Sequence, residues 1–548
     1  MIMLSHRVRR SFVALVMLGA ATVPVATTSS SAAASPRVLR VGSWQGKAGE
    51  FTTIEDAVNA AQPGDWVLVG PGDYHEQMDH RVTDPALAGG AVLIDKPGLH
   101  LRGMDRNATV VDGTVPGSPQ CSSAPSDQDL GPSNGGNPLG RNGVLVLEAD
   151  GVSVDNLTAC NFLNGDGGGG NAIWWNGGDG TGTQNLASLE GSYLSATSSY
   201  WEDGRPRSEY GIFLSNVTGP ALVSHTYANN QADAAYYIGA CPDCNTVLDD
   251  AHGQGSALGY SGTNSGGRLI VQNSEFDQNN TGFSTNSQNN ADAPSPQDGI
   301  CPAGLTGPTG TSSCWVFRQN NVHDNNNVNV PGSGSAELGP PGAGMVISGG
   351  RNDTVVDNTF SNNGSWAVLV APFIDTGTPP PVSNCDGGVD NWLGTGWCYY
   401  GDWGTEVTNN TFVGNGGYGN PTNGDLADLS DLHDPGNCWY GNLDANGVST
   451  APPDLELTNG VCGVPNQGAD VLGSDLSNQV ICATGIIACP LDPPPNYPVR
   501  TNVAMMPLPV EPTMPDPCAG VPENPWCPAS SPVTTPGENV AVIPEFTG

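Results

Sequence analysis

Asn273-Ser274-Glu275-Phe276-Asp277-Gln278-Asn279-Asn280 is echoed three times downstream: by Asn320-Asn321-Val322-His323-Asp324-Asn325-Asn326, by Asn358-Thr359-Phe360-Ser361-Asn362-Asn363 and by Asn410-Thr411-Phe412-Val413-Gly414-Asn415. Each unit sets one apolar residue between two asparagine-bearing bends. Degenerate repeats of this kind mark a solenoid. The intervals from Phe276 to Val322, Phe360 and Phe412 are 46, 38 and 52 residues, so loops must be inserted between the turns of the coil. In a stack of parallel strands ~4.8 Å apart, like side chains lie over like. The apolar positions then form a continuous interior, and the asparagines form hydrogen-bonded ladders at the corners.

Short apolar strands separated by polar turns recur upstream as well, at Val144–Leu147, Val152–Val154, Gly211–Leu214 and Leu269–Val271. Before them, Ile54, Ala57, Val58 and Ala61 have helical spacing, with Thr52 or Thr53 as N-cap and Pro63-Gly64 as the stop; Trp66 to Val69 reads as a buried strand. The pattern F-x-T-I-x-x-A-V-x-A-A-x-P-G-D-x-V-x-V-x-P-G-x-Y, from Phe51 to Tyr74, resembles the cap and first coil of the pectin-lyase-like superfamily. The Asn-x-Phe/Val-x-x-Asn units look like that superfamily's coil repeat, and the likeness covers about residues 38 to 445. It implies an all-β, right-handed parallel β-helix with a short N-terminal capping helix. It does not choose an activity, because lyases, glycoside hydrolases, esterases, epimerases and non-enzymatic surface proteins share the fold.

Composition agrees with a turn-rich β protein. Of 548 residues, 75 are Gly and 46 Pro, and charged residues are only 13%, which leaves little room for long charged helices. A net charge of -37 would repel phosphate, so nucleic acid and anionic membranes are poor partners. The first 34 residues read as a secretory signal: Arg7, Arg9 and Arg10, an apolar run from Phe12 to Ala26, then Ala32-Ala33-Ala34 before a cut at Ser35. That run is too short to span a bilayer, so no membrane insertion is expected. The solenoid is expected over 35–490 and a Pro-rich tail that wraps or links over 491–548.

All 14 cysteines follow the signal, and an even count in an exported chain argues for disulfides. Neighbours that close local loops are Cys301 with Cys314, Cys385 with Cys398, Cys482 with Cys489 and Cys518 with Cys527; Cys241 and Cys244 read as a loop staple rather than a redox or zinc motif.

The sequence gathers acid, histidine and arginine most closely between Asp249 and Asp324. Asp250 and Asp277, 27 residues apart, are expected on adjacent coils, sharing Ca²⁺ or acting as acid and base, with Asp249 as a further metal ligand. His252 and His323 are the proton-transfer candidates, Asp277 and His323 occupying equivalent places one after their coil's Phe or Val. Arg268 is the nearest cation for developing negative charge, and Arg268, Arg318 and Arg351 either project toward one groove or pair with nearby acids. Asp249 and Asp250 alternate faces unless they lie on a turn. Trp392, Trp397, Tyr399, Tyr400 and Trp403 form either a sugar-stacking platform or a small core under a loop. The expectation is a secreted protein that acts on extracellular polysaccharide as a lyase or glycoside hydrolase, Ca²⁺ being the candidate cofactor, or a non-catalytic surface protein that binds it.

Overall fold

The computed structural model describes residues 35–77, 87–178, 183–241, 243–288, 314–375, 398–430, 436–471, 473–485 and 488–528. The expected signal segment, and with it residues 1–34, lies outside them. The chain divides into Met1–Ser35 and Pro36–Gly548, and the solenoid lies in the second unit.

Its first coil opens at Val38–Val41, which pairs in parallel with Trp66–Val69. Between them runs helix α1, Ile54–Ala60. Thr53 is the N-cap, its side chain accepting from the Asp56 amide, and Ile54, Ala57 and Val58 face the interior. The expected capping helix is present, ending at Ala60, before Pro63. From there each coil contributes up to three strands, and three parallel faces build up. Faces one and two merge into a 21-stranded sheet, because Ala221–Asn229 and Thr246–Gln254 run through both. Face three is an 11-stranded sheet from Gly90–Ile94 to Thr450–Ala451. This is the expected parallel β-helix.

The repeat units fall into register as read. On face two Phe276 pairs with Val322, Val322 with Phe360 and Phe360 with Phe412. All four are buried in one apolar interior that runs from Leu39 to Leu455. Asparagine ladders line the corners on either side of them. At the corner before face two, Asn320 donates to Asn358 at 3.1 Å, Asn358 to Asn410 at 2.9 Å and Asn410 to Asn442 at 3.0 Å. At the corner after it, Asn279, Asn325, Asn363 and Asn415 repeat the pattern at 3.0, 3.2 and 3.1 Å. Within these two ladders each asparagine amide is bonded to the next coil.

Two more helices, α2 at Leu455–Thr458 and α3 at Asp475–Thr484, were not read from the sequence. Leu476 of α3 packs on the outer side of face three with Val346, Leu369 and Ala427. Disulfides join Cys241 to Cys244, Cys482 to Cys489 and Cys518 to Cys527, as expected, and also Cys121 to Cys160 and Cys438 to Cys462. Cys314 is disulfide-bonded, while Cys301, Cys385 and the side chain of Cys398 lie outside the described residues. No helix among the described residues is long and apolar enough to cross a membrane.

The tail is neither free nor short-ranged. From Asn496 it is held by Asn420, then by Asn329 at Thr501, Asn230 at Met506, Asn107 at Glu511 and Asn156 at Met514. Its described part reaches the first coil, where the Trp526 indole donates to the Lys47 carbonyl and the ring packs with Trp66, Leu68 and Met104. The Pro-rich segment is thus an extended strap running from the last coils back to the first.

Candidate functional site

A single left-handed residue turns the chain from face one to face two in coil after coil. Tyr193 (φ 51°), His225 (54°), Asp250 (50°), Asn273 (50°), Gln319 (56°) and Asp357 (57°) occupy this position. Asn, Asp and His tolerate it best, and tyrosine there is uncommon. All six side chains line one cleft of 740 Å³, together with the neighbouring column of face two. Six coils at ~4.8 Å give a groove of roughly 24 Å, running across the strands.

Face two supplies the groove floor in two outward columns. One holds Tyr227, His252, Glu275 and Asn321 on successive coils; the other holds Asn229, Gln254, Asp277 and His323. Glu275 and Asp277 therefore share a strand and a side, with His252 on the coil before and His323 on the coil after. The contacts run diagonally. His252 Nε2 lies 2.7 Å from Asp277 Oδ1, and His323 Nε2 lies 2.8 Å from Glu275 Oε1. Gln254 donates to the other Asp277 oxygen at 2.9 Å, while His323 Nδ1 meets Asp324 at 2.8 Å. The Tyr227 ring stands edge-on to His252 at 5.2 Å.

These contacts set the charges. The hydrogen bond to Glu275 pushes the His323 pKa up to about 9, so both its nitrogens carry protons at neutral pH. The same bond holds the Glu275 carboxyl below its ordinary value. Burial alone would depress His252, but the Asp277 hydrogen bond and charge outweigh it and raise its pKa. Burial pulls Asp277 upward, and its bonds from His252 and Gln254 pull harder, leaving it lowered. Face two thus carries two carboxylates, each hydrogen-bonded to its own histidine.

The structure places His252, Asp277 and His323 together on face two and Asp250 at the corner before it, and it corrects several details. The step between these two coils is 23 residues, from His252 to Glu275, so Asp250 stacks next to Asn273 and not next to Asp277. Asp250 pairs with His225 instead. Asp249 belongs to face one and accepts from Asn273 at 2.7 Å. Asp249, Asp250 and Asp277 therefore do not converge as a metal site. Among the described residues, the histidine and carboxylates whose ligand atoms do converge are Asp73, His75 and Asp112, none of which lines the cleft. Arg268 binds Asp243 at 2.8 Å, Arg318 binds Gln272 at 2.7 Å and Arg351 lies over the Trp403 ring at 3.5 Å; none of the three lines the cleft. Among the described residues the arginine that does is Arg106, buried, with Nε on Ser195 Oγ at 2.8 Å and Nη1 on the Pro512 carbonyl at 3.1 Å. Nothing near Arg106 in the sequence announces this role, because its partner is a strap residue about 400 positions later.

The aromatic platform is also corrected in part. Trp392 and Trp397 lie outside the described residues. Tyr400 and Trp403 are buried, Tyr399 sits on Cys398–Tyr400 paired with Phe373–Asp375, and none of the three reaches the cleft. Among the described residues the tyrosine that lines the groove is Tyr193, stacked on His225 with ring centres 4.6 Å apart, while the Tyr227 ring is buried edge-on to His252.

No family model matches the chain, and no curated protein matches it. Solved structures with similar backbones include the A-module of a mannuronan C-5 epimerase from Azotobacter vinelandii, at 15% identity over 71% of this chain and 88% of that one, with a TM-score of 0.41. Pectate lyase Pel9A is similar at 11% identity over 80% and 90%, TM-score 0.39. The tailspike of the Escherichia coli bacteriophage HK620, solved with a pentasaccharide, is similar at 13% identity over 74% and 59%, TM-score 0.36. At these values the likenesses carry no functional argument; the fold rests on this chain's own strand register, and by that register it is a parallel β-helix.

Proposed function

We propose that the protein is an exported enzyme that cleaves the glycosidic bonds of extracellular polysaccharide in this cleft. One observation carries the reading: His252 and Glu275 are register partners on adjacent coils of the groove floor, each hydrogen-bonded to a further group, His252 to Asp277 and Glu275 to His323. Cleavage needs a proton donor and a base within reach of one bond. His252, oriented by Asp277, whose hydrogen bond and charge raise its pKa, is the donor to the leaving oxygen. The Glu275 carboxylate, locked by His323, takes the proton from the attacking water, whose oxygen bonds to the anomeric carbon as the old C–O bond breaks.

Asp250, Glu275, Asp357 and Glu511 line the same cleft and would repel a polyuronate. A neutral glycan and hydrolysis are therefore favoured over elimination from a uronate. Export belongs to the same reading: five disulfides join described cysteines, and such bonds persist in oxidising compartments. Ca²⁺ is given no step here, since the carboxylates expected to hold it are spread over two faces. A second reading has an observation of its own. The histidine–carboxylate pairs stitch three coils together, a structural task that a non-catalytic glycan-binding protein would also need.

The test is a panel of xylan, arabinan, galactan, β-glucan, polygalacturonate and alginate, followed for new reducing ends and for unsaturated ends by ultraviolet absorbance. Reducing ends without unsaturation are expected. His252→Gln and Glu275→Gln should each lower turnover at least ~100-fold, with circular dichroism unchanged. Full activity in both variants would remove the site from this cleft. Binding without turnover would leave the second reading in its place.

A further inference from the structure

We infer that the C-terminal strap makes this groove a dead end, so that a polysaccharide is engaged by its chain terminus and shortened from there. The inference rests on the functional reading above and adds to it how the substrate enters.

Exposure along the groove floor changes in one direction. In the outward column of face two, Thr158, Ser195 and Tyr227 are buried, His252 and Glu275 are half-buried, and Asn321, Thr359 and Thr411 are exposed. A β-helix groove of uniform depth would not grade in this way, because successive coils present the same backbone. The cover on the buried side is the strap. Glu511, Pro512, Thr513 and Pro515 form part of the cleft wall. Asn107 grips the Glu511 backbone at both ends of its amide, at 2.8 and 3.0 Å. Thr513 Oγ1 meets Asn156 Oδ1 at 2.8 Å and accepts from the Arg106 amide at 3.1 Å. Asn156 stands at the left-handed corner where the column of Tyr193, His225 and Asp250 would otherwise continue. The strap and the Arg106 side chain fill that path.

The strap is built for this task. Glu511-Pro512-Thr513-Met514-Pro515 has two prolines in five residues, which fix φ and limit the entropy lost when the segment lies extended. Anchors precede it at Asn230 and follow it at Arg102, whose guanidinium donates to the Ala519 carbonyl at 2.7 Å. Toward Thr359 and Thr411, nothing among the described residues closes the groove in the same manner. A chain lying along the floor therefore ends at the Glu511–Thr513 wall, and His252 with Glu275 lies a few sugar widths from that wall.

The experiment is a time course on the glycan the panel identifies, comparing viscosity with reducing ends released. Terminal attack yields short products from the outset while viscosity falls little for each bond cut. The double variant Asn107→Ala/Thr513→Ala, which removes contacts that seat the strap, should shift products toward mixed lengths, with a larger viscosity loss per bond. Asn230→Ala, which loosens the strap away from the cleft, should cause a smaller shift in the same direction. Internal cleavage by the native protein, with long intermediates and an early collapse of viscosity, would overturn the inference while leaving glycan hydrolysis intact. If no glycan is cut, hydrolysis fails by itself and the groove is read by binding, as retardation in native gels cast with each polymer of the panel. Competition by matched oligosaccharides that follows the number of chain ends supports the dead end; competition that follows sugar mass, or no binding of any kind, overturns it.

Discussion

The coils after Ser274 and the coils before it solve the same corner in different ways. After it, the interior position ahead of face two is Asn320, Asn358, Asn410 and Asn442, each bonded to the next. Before it, the corresponding residues are Leu157, Leu194, Thr226 and Ala251, and no amide ladder can form. Ser274 is the seam: its amide donates to Asn320 Oδ1 at 2.9 Å, and its hydroxyl accepts from the Ala251 amide at 3.1 Å. The regular half gains stability from repetition within the stack. The irregular half is secured from outside, by the strap and by the Cys121–Cys160 bond. The candidate site straddles the seam, where neither pattern constrains the outward residues.

The largest expected effect attacks the regular half. Asn358→Ala removes the acceptor of both the Asn320 amide and its side chain, along with the donor to Asn410. Leaving buried groups unpaired costs about 1–3 kcal/mol each, so a loss of about 4 kcal/mol is expected in denaturant unfolding. Ser274→Ala strands one amide and should cost about 1.5 kcal/mol. Equal losses at the two positions would break the comparison.

Next comes the irregular half. The Cys121–Cys160 bond spans 39 residues, and replacing both cysteines by serine should cost about 3 kcal/mol. The change is read as a fall in Tm of the double variant against the native protein. An unchanged Tm would mean that the strap alone holds these coils.

The smallest effect sharpens the seam. His323 titrates at about 9 in the folded chain against an ordinary 6.5. A raised pKa gives stabilisation that is complete below about 6.5 and fades as pH climbs through 9. Its partner Glu275 is lowered, so the pair also weakens in acid, as pH falls through that carboxyl's folded value. The native Tm should therefore decline between these two pH values more steeply than that of His323→Gln. Parallel curves would mean that the pair adds nothing to folding.

The regular half was legible because its logic is local. One apolar residue between two asparagines is a pattern that a single coil carries in full, and it placed Phe276, Val322, Phe360 and Phe412 in register. The pairing of Asp277 with His323 followed from the same frame. Upstream, coil length could not be read, since corners made of Leu157 or Ala251 look like any apolar position. The 27-residue step from Asp250 to Asp277 was therefore four residues too long, and it displaced the proposed metal ligands. Cys121 and Cys160 meet only after the strands between them have stacked, and Arg106 finds its partner only when the strap returns. Contacts that depend on the finished stack leave no trace in sequence spacing.

The strap also changes how such a molecule opens. A solenoid in which each coil touches only its neighbours frays from its ends, one unit at a time, with little cooperation between distant coils. A segment pinned at Asn420, Asn329, Asn230 and Asn156 before reaching Lys47 ties those units into one. Neither terminus can then peel away without releasing contacts at the other, and local exchange of amide hydrogens at the first coil becomes linked to unravelling at the last. The order of synthesis makes the link one-sided. The first coils emerge from the ribosome hundreds of residues before Trp526 and stand with Trp66 uncovered until that residue follows. Until the strap has been made the solenoid is an open stack, and the strap's return is what turns it into a closed, cooperative unit.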